Sequence, residues 1–431
     1  MMNDICIDID YSQIYKNGQK IGGDVFLLDR SPGSNVITAT LSDGLGSGVK
    51  ASVLATLTSH MANKMSFSPL DLSHSAEIIM DTLPVDREKG ISYSTFTIAK
   101  VAFSDDKSFI NVELVEYDNP ESLRFVDNEP VEWDRTSTKL RRKTAVKEEI
   151  VHTSSFDMKM GDRLIFFSDG VAQSGLVLGS LPGVDTERIH SSAAQLGEWG
   201  TDNVREFVHR LLQKDPDINS RDLARSIVTE AYKRDRYKAN DDITCAVVSV
   251  RKPKRAMLIT GAPRSRESDK QLGAMIRNFD GRVIVCGGTT AKIVARELGK
   301  DIKADRSPSG NLPPASIIDG IELVTEGMLT LTEVSERLEE KVLLKQMPED
   351  PAKRIIRILR DMDQLQIVMG TKINNDTDDP AAAAKIGVRF PVVDRITRAL
   401  ERSYLKEVEV TYLYIFSDTK KPAVHRTGRL L

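Results

Sequence analysis

Four short acidic stretches contain the residues whose type and position could support chemistry. Asp24 begins one apolar stretch, Asp43 and Asp169 each end another, and the pair Asp241-Asp242 precedes a fourth. An acidic side chain at the edge of a buried strand loses hydration, which is costly unless the carboxylate is paired or binds a metal ion. An Asp-Gly step at a strand end is by itself most often a turn. Four such positions in one region instead indicate that these side chains meet at one end of a sheet.

The ligand chemistry of this group favours hard divalent cations. Carboxylate and carbonyl oxygens suit Mg²⁺ or Mn²⁺, and the six histidines are too scattered to predict a zinc site. Two such cations, about 3.5–4 Å apart, can activate one hydroxide and direct it at phosphorus. Asp43-Gly44 provides both a carboxylate that can bridge two ions and a neighbouring backbone carbonyl.

Strands and grouped helices must position these acids. Alternating and continuous apolar runs predict strands at 5–9, 25–28, 36–41, 94–103, 111–117, 122–126, 163–168 and 242–250. Helical spacing predicts amphipathic helices at 49–63, 75–83, 203–213 and 220–234. In the first of these helices the spaced apolar residues are Val49, Val53, Leu54, Leu57 and Met61. Helices grouped between runs of strands favour an α+β fold, in which two antiparallel sheets are flanked by helices.

A change of pattern after residues 251–255, which read as a linker, predicts a second domain. Short buried strands alternate with helices, as expected for an α/β domain. The strands are predicted at 257–260, 283–286, 321–324, 365–369 and 408–415, and the helices at 268–278, 290–298, 331–345, 351–362 and 391–405. The domains are therefore predicted at 1–252 and 255–431.

One glycine turn in the second domain suggests a small anionic ligand. Gly287-Gly288 follows a strand, and Thr289 or Thr290 could cap the next helix, whose exposed N–H groups would attract phosphate. The stretches 317–327 and 374–379 could add polar groups to the same cleft. The alternative is an ordinary βα turn, since no phosphate-loop motif occurs.

The composition limits which binding partners and which cellular compartment are expected. The net charge is −3, so a broad nucleic-acid surface is not expected. Cys6, Cys245 and Cys286 have no paired spacing, which favours a reducing cytoplasm. The N-terminus lacks the apolar core of a signal peptide. No apolar stretch reaches the length of a membrane-spanning helix, so no membrane partner is expected.

Four motifs in order resemble the metal-dependent protein phosphatase (PPM) family. They are GGD at 22–24, SDGLGSG at 42–48, GDRLIFFSDGV at 161–171 and NDDIT at 240–244. The resemblance is to the bacterial branch, represented by the stage II sporulation phosphatase and the stress-response sigma-regulatory phosphatases. It covers the first domain and implies an αββα sandwich with the metal ions at one end of the sheets.

The resemblance also implies residue roles. Asp24 and Asp43 become the candidate catalytic residues: Asp24 would bind one metal ion, and Asp43 would bridge two Mn²⁺ or Mg²⁺ ions. The Gly44 carbonyl would complete the shell of the second ion. Asp169 and Asp241 would hold the first ion opposite Asp24. The arginine that holds phosphate in the animal and plant branch has no clear counterpart here.

The implied activity is hydrolysis of phosphoserine or phosphothreonine in a protein, by a hydroxide that two metal ions activate and without a phosphoenzyme. The implied substrate is a phosphoprotein, for which bacterial relatives suggest a small phosphoserine regulatory protein. The helices at 49–63 and 75–83 would be a switch that gates metal binding. Two alternatives remain: a catalytically silent scaffold or sensor that acts through residues 255–431, and a main activity located in that second domain.

Overall fold

The structure is a computed structural model of the 431-residue chain. It describes residues 4–30, 36–46, 48–67, 72–82, 94–140, 149–176, 197–263, 265–370, 380–404, 406–413 and 424–425. For residues 73, 140, 380–388, 424 and 425 the backbone alone is described. The chain divides into two compact units, residues 4–252 and residues 253–431. No helix in these ranges is both long and apolar enough to cross a membrane.

The first unit contains two antiparallel sheets. Its strands are β1 Cys6–Ile14, β2 Asp24–Arg30, β3 Val36–Gly44, β4 Ser94–Phe103, β5 Ile110–Tyr117, β6 Leu123–Val126, β7 Glu129–Val131, β8 Thr136–Leu140, β9 Glu149–Met158, β10 Arg163–Phe167 and β11 Ile243–Arg251. One sheet has the order β1-β11-β10-β6-β7 and the other β2-β3-β4-β5-β9-β8.

Helices cover the outer face of each sheet. They are α1 Gly48–Ser66, α2 Leu72–Thr82, α3 Asp169–Ala172, α4 Thr201–Lys214 and α5 Ser220–Arg234. One core lies between the sheets and includes Leu41 and Phe166. A second core joins α1 and α2 to β4 and β5, and a third joins α4 and α5 to β10 and β11. This four-layer arrangement confirms the predicted αββα sandwich.

Helix α1 differs from its expected amphipathic pattern. Val49, Val53 and Leu57 are exposed. The buried face consists of small or polar residues: Ala51, Ala55, Thr58, Ser59, Ala62, Asn63 and Ser66. The reason is close packing, because a Cβ on Gly44 would collide with the backbone of Ala51. A helix this near to the end of β3 has no room for large side chains on its inner face.

The second unit contains one mixed sheet with helices on both faces, which confirms the predicted α/β fold. Its strands are β12 Arg255–Thr260, β13 Arg282–Cys286, β14 Lys303–Ala304, β15 Ser316–Ile318, β16 Ile321–Thr325, β17 Gln364–Gly370, β18 Glu407–Leu413 and β19 Val424–His425. The helices are α6 Arg266–Arg277, α7 Gly288–Leu298, α8 Met328–Glu339, α9 Pro351–Asp361 and α10 Pro380–Ser403. The sheet order is β14-β15-β16-β13-β12-β17-β18-β19, and its five central strands, from β16 to β18, are parallel.

The turn that suggested an anion site is built differently from the prediction. Helix α7 starts at Gly288, and its N-cap is Gly287 with a φ of 130° and no side-chain cap, so neither threonine caps it. Gly287 has the left-handed φ that favours glycine. Of the stretch 317–327, the turn at Asp319-Gly320 joins β15 to the start of β16, whereas only Thr325 and the residues after it reach the edge near Gly287. Residues 374–379 lie outside the described residues.

Candidate metal centre

Strand register brings the predicted acids to one end of the two sheets. Asp24 at the start of β2 is the antiparallel partner of Asp43 near the end of β3. Asp169 follows β10, and Asp241 precedes β11, which is the antiparallel neighbour of β10. The two sheets meet here, and the carboxylates of Asp24, Asp169 and Asp241 lie close enough to Asp43 to repel it. The structure therefore places all four predicted carboxylates in one cluster.

Burial and mutual repulsion shift the protonation of this cluster. Burial raises the pKa of Asp24 to about 8, and repulsion from Asp242 and Asp169 adds to the effect. A hydrogen bond opposes it: the Thr244 hydroxyl donates to Asp24 Oδ2 at 2.6 Å. Burial also raises the pKa of Asp169 to about 6, with repulsion from Asp241 as the next cause.

Three other carboxylates repel the carboxylate of Asp43. Its pKa lies well above the usual range, first because of burial and then because of repulsion from Asp24, Asp169 and Asp241. Its side chain also shares a hydrogen bond with Asp24. Carboxylates that repel one another in this way favour the binding of a cation.

The residues present fit a hard divalent cation by their chemistry. The donor set consists of carboxylate oxygens, the preferred ligands of Mg²⁺ and Mn²⁺. Asp169 Oδ1 is buried and has no hydrogen-bond partner among the described residues, although an unpaired buried oxygen is costly. In the described part of the chain, no three His, Cys, Asp or Glu side chains are placed so that they could hold an ion as they stand. The carboxylates are thus neighbours and do not form a closed coordination shell.

The adjacent acids Asp241 and Asp242 have different environments. Asp242 is 3% exposed, and its two oxygens accept hydrogen bonds from the backbone N–H groups of Lys16 (2.9 Å) and Gly23 (2.6 Å). It therefore holds the turn that precedes Asp24. The Asp241 side chain is 43% exposed, and its Oδ1 lies 3.4 Å from Lys16 Nζ. Of the two, Asp241 is the carboxylate available to a ligand.

The glycines beside the acids are required by close packing and not by turn geometry. A Cβ on Gly44 would collide with the carbonyl oxygen of Ala51, and a Cβ on Gly170 would collide with that of Asp242. Neither Gly44 nor Gly170 has a positive φ. These Asp-Gly steps are therefore not ordinary turns. Glycine is needed at them because it lets backbone segments approach the cluster closely.

Two charged residues at the cluster were missed by the sequence interpretation. Lys16 follows β1, and its ammonium lies beside Asp241 and lowers the otherwise raised pKa of Asp169. Asp118 follows β5 with a φ of 54° and repels Asp169. A left-handed conformation at a residue other than glycine is uncommon and often marks a functional site. Only the Asp-Asn-Pro turn at 118–120 could have drawn attention to it.

Comparisons with known proteins give the family. The family model described as "Stage II sporulation protein E (SpoIIE)" matches residues 33–251, a little over half of the chain. No curated protein sequence matches the chain.

Several solved structures are similar. The phosphatase domain of the cell fate determinant SpoIIE from Bacillus subtilis is 16% identical, with a TM-score of 0.39 and coverage of 58% of this chain and 95% of that one. RsbX in complex with magnesium is 15% identical, with a TM-score of 0.36 and coverage of 58% and 98%. The catalytic domain of the serine threonine protein phosphatase PstP, in complex with 2 manganese ions, is 15% identical, with a TM-score of 0.33 and coverage of 57% and 100%.

The family match covers the DGLGSG, GDRLIFFSDGV and NDDIT motifs, which carry three of the four clustered carboxylates. The expected resemblance to the bacterial branch of the metal-dependent protein phosphatases is thereby confirmed. The chain belongs to the SpoIIE family.

Proposed function

We propose that residues 4–252 form a metal-dependent phosphatase that hydrolyses phosphoserine or phosphothreonine in a protein substrate. The observation that carries this proposal is the convergence of Asp24, Asp43, Asp169 and Asp241 at one end of the two sheets, in a chain of the SpoIIE family. A site with this excess of negative charge cannot attract a phosphorylated substrate by itself. It acquires the necessary positive charge when it binds cations.

The roles proposed for the carboxylates are those that the resemblance to the metal-dependent protein phosphatases implies. Asp24 would hold one ion, and Asp43 with the Gly44 carbonyl would help to hold it and a second Mn²⁺ or Mg²⁺ ion. Asp169, whose Oδ1 is buried and unpaired, joins Asp241 as a ligand of the first ion. When bound, two such ions would stabilise the charge of the phosphoryl group and activate water at neutral pH.

Other side chains would orient the ligands. The Thr244 hydroxyl donates to Asp24 Oδ2 and so fixes the orientation of the Asp24 carboxylate. Asp242 fixes the backbone before Asp24 through Gly23. Outer partners of this kind commonly change metal affinity or activity about 10–100-fold when they are removed.

Among the residues that the structure describes, Lys16 provides a cation at the cluster. Its Nζ lies 3.4 Å from Asp241 Oδ1, and its side chain is about one-third exposed. We assign Lys16 a role in balancing the charge of Asp241 and in meeting the phosphate of an arriving substrate.

The proposed substrate is a phosphoprotein, in particular a small phosphoserine regulatory protein, and the proposed role of residues 253–431 is regulatory. A second candidate function is a catalytically silent scaffold. It is favoured by one observation: no three candidate ligands among the described residues stand in a metal-holding arrangement.

Hydrolysis of p-nitrophenyl phosphate and of a phosphoserine peptide, with Mn²⁺ or with EDTA, tests the proposal. Asp43→Asn and Asp169→Asn should each lower Mn²⁺-dependent turnover by at least about 100-fold, since even outer partners of a metal site contribute 10–100-fold. Asp202→Asn is the matched control, because Asp202 is 88% exposed on α4, and it should keep full activity.

A folded, Mn²⁺-loaded wild type that is inert on both substrates would favour the scaffold. Turnover that survives in both Asp43→Asn and Asp169→Asn would show that the cluster is not the active site.

A further inference from the structure

The second unit has the strand arrangement in which a sheet opens a crevice at its carboxyl edge. In chain order its parallel strands are β12, β13, β16, β17 and β18, but their spatial order is β16-β13-β12-β17-β18. β12 leads to α6, which packs with α7 on one face. β17 leads to α10, which packs with α8 and α9 on the other face. Ligands of doubly wound sheets bind where neighbouring strands send their connections to opposite faces, which here is between β12 and β17.

At this point the two strand ends are in direct backbone contact. Gly261 follows β12 with a φ of 82°, and Gly370 ends β17. A Cβ on Gly261 would lie 2.5 Å from the Gly370 carbonyl oxygen and 2.7 Å from Nη1 of Arg389. A Cβ on Gly370 would collide with Ala262. The missing Cβ of Gly261 therefore leaves space that the guanidinium group of Arg389 occupies, and the missing Cβ of Gly370 lets the two strand ends approach each other.

Helix α10 contacts the sheet next to Arg389. The next residue, Phe390, stacks on Tyr412 of β18 with ring centroids 5.5 Å apart. The part of α10 that carries Arg389 and Phe390 is thus fixed against the sheet, near the carboxyl ends of the strands.

Within the described residues, the charge of Arg389 has no acidic partner. Its Nε is buried without a hydrogen bond, and burial alone lowers its pKa. Two other arginines of this unit are balanced by acids, since Arg337 pairs with Asp350 and Arg354 pairs with Asp305. Arg360 is half-buried without an acid, but its guanidinium donates to a backbone carbonyl and to a tyrosine hydroxyl. An unpaired guanidinium in a half-buried position is costly, and a bound anion beside Arg389 would offset this cost.

A second unpaired polar group lies on the same face. Thr260 ends β12, is 1% exposed, and its hydroxyl has no partner among the described residues. Ala256 and Leu258 of the same strand pack in the core that contains α10. Because alternate side chains of a strand share a face, Thr260 also faces the α10 side of the sheet.

We propose that the crevice between the carboxyl ends of β12 and β17 binds a small oxyanion ligand, with the guanidinium of Arg389 as its anchor and Thr260 as a second donor. The planar fork of arginine matches the two oxygens of a phosphoryl or carboxylate group. The N-terminus of α6 is a poorer anchor, because its first turn carries Glu267 and Asp269. The turn at Gly287 is also less open, since a Cβ on Gly327 would lie 3.4 Å from the Gly287 Cα.

Titration calorimetry of the full chain with sodium phosphate, pyrophosphate and malonate, at matched ionic strength, tests this site. EDTA is present throughout, so that phosphate cannot bind through metal ions at the acidic cluster. Wild type should show saturable binding of one equivalent. Phosphate and pyrophosphate in one arm and malonate in the other distinguish a phosphoryl ligand from a carboxylate ligand.

Three variants make the test specific. Arg389→Gln should weaken binding by at least about tenfold, as expected for a hydrogen bond to a charged group, and Thr260→Val should weaken it less. Arg398→Gln is the matched control, because Arg398 lies on the same helix, is exposed and pairs with Asp394. This control should bind as wild type does.

Three results would overturn the proposal. The first is no saturable binding of any of the three probes, and the second is equal affinity in wild type and Arg389→Gln. The third comes from thermal unfolding without a probe, in which Arg389→Gln should melt at the same temperature as wild type or higher, because it removes an unpaired charge. A clear drop would mean that Arg389 has a structural partner and is not waiting for a ligand.

Discussion

In the part of the chain that the structure describes, each of the two units holds ionisable groups without a balancing partner, and the signs of their charges are opposite. In the first unit, Asp24, Asp43 and Asp169 are gathered with Lys16 as the nearby cation. In the second, the guanidinium of Arg389 is half-buried with no carboxylate beside it among the described residues. A buried charge without a partner costs free energy, so each site is expected to be completed from outside. The sign then indicates the ligand: cations for the first site and an anion for the second.

Balanced pairs elsewhere show that the chain does compensate charge where the role is structural. Arg337 donates to both oxygens of Asp350 at 3.0 and 2.7 Å, and Asp350 also caps α9 through the N–H of Lys353. The contrast with Arg389 separates an arginine that stabilises the fold from one that is available to a ligand.

The largest effect on stability should come from a balanced pair. Arg337→Gln should destabilise the second unit by about 3–5 kcal/mol, because it leaves Asp350 buried without its cation. Arg389→Gln, the same substitution at the unbalanced arginine, should cost nothing or stabilise slightly. Urea unfolding of both variants and of wild type measures the difference. Equal losses in the two variants would remove the distinction on which the proposed anion site depends.

The next effect concerns the acidic cluster. Mn²⁺ at 100 times its dissociation constant should stabilise the first unit by about 2.7 kcal/mol, which is about 5–10 °C for a unit of this size. Asp43→Asn should abolish the shift, and the exposed control Asp202→Asn should retain it. Differential scanning calorimetry with Mn²⁺ and with EDTA gives both values. A shift that persists in Asp43→Asn would place the metal elsewhere.

A smaller effect is expected at the helix that packs against the cluster. Ala51→Leu should cost about 1–3 kcal/mol, because the inner face of α1 has no room beside Gly23 and Gly44 and overpacking forces the helix outward. Val53→Ser, on the exposed face of the same helix, should change stability by less than about 0.5 kcal/mol. Chemical denaturation of the two variants compares them directly, and similar losses would mean that Val53 packs against something.

Val53→Ser also tests the hypothesis that α1 and α2 gate metal binding. If α1 is such a switch, a change on its exposed apolar stripe should alter Mn²⁺ affinity or turnover. If the variant keeps both, α1 acts only as a packed outer layer, and the acidic cluster does not depend on its exposed face.

Helices α1 and α5 show what could be predicted from the sequence and what could not. The apolar spacing of 220–234 predicted α5, and its Leu223, Ile227 and Ala231 are buried as the pattern indicates. The spacing of 49–63 predicted a helix in the right place but with the wrong inner face. Periodicity shows only which residues are apolar. The inner face of α1 consists of small residues because the helix backbone packs directly against Gly44.

The site was partly predictable for a related reason. Acids at strand ends are visible in the sequence, because both the strand and the polar residue that ends it are local features. Lys16 is not, since its contact with Asp241 joins residues 225 positions apart. Arg389 meets Gly261 only after the sheet has formed in its final strand order, and no local pattern marks it. Pairing across long sequence separations therefore set the limit of the prediction.

The smallest predicted effect is at a balanced pair near the surface. Hydrogen bonds from Ser307 and the ion pair with Arg354, whose Nη1 lies 2.6 Å from Asp305 Oδ2, lower the pKa of Asp305 to about 2. A lowered pKa contributes stability that is present above the ordinary value of 3.8 and is lost as the pH falls towards 2. Asp305→Asn should thus destabilise the second unit at pH 7 by about 1 kcal/mol, the upper end for ion pairs near the surface, because the Asp305 side chain is only 8% exposed while Arg354 is 30% exposed. Denaturant midpoints of this variant, of wild type and of the control Asp301→Asn should converge as the pH falls below 3.8. If the difference in midpoint between Asp305→Asn and wild type stays constant with pH, Asp305 acts through packing and not through its charge. A balanced charge would then no longer distinguish a structural residue from Arg389.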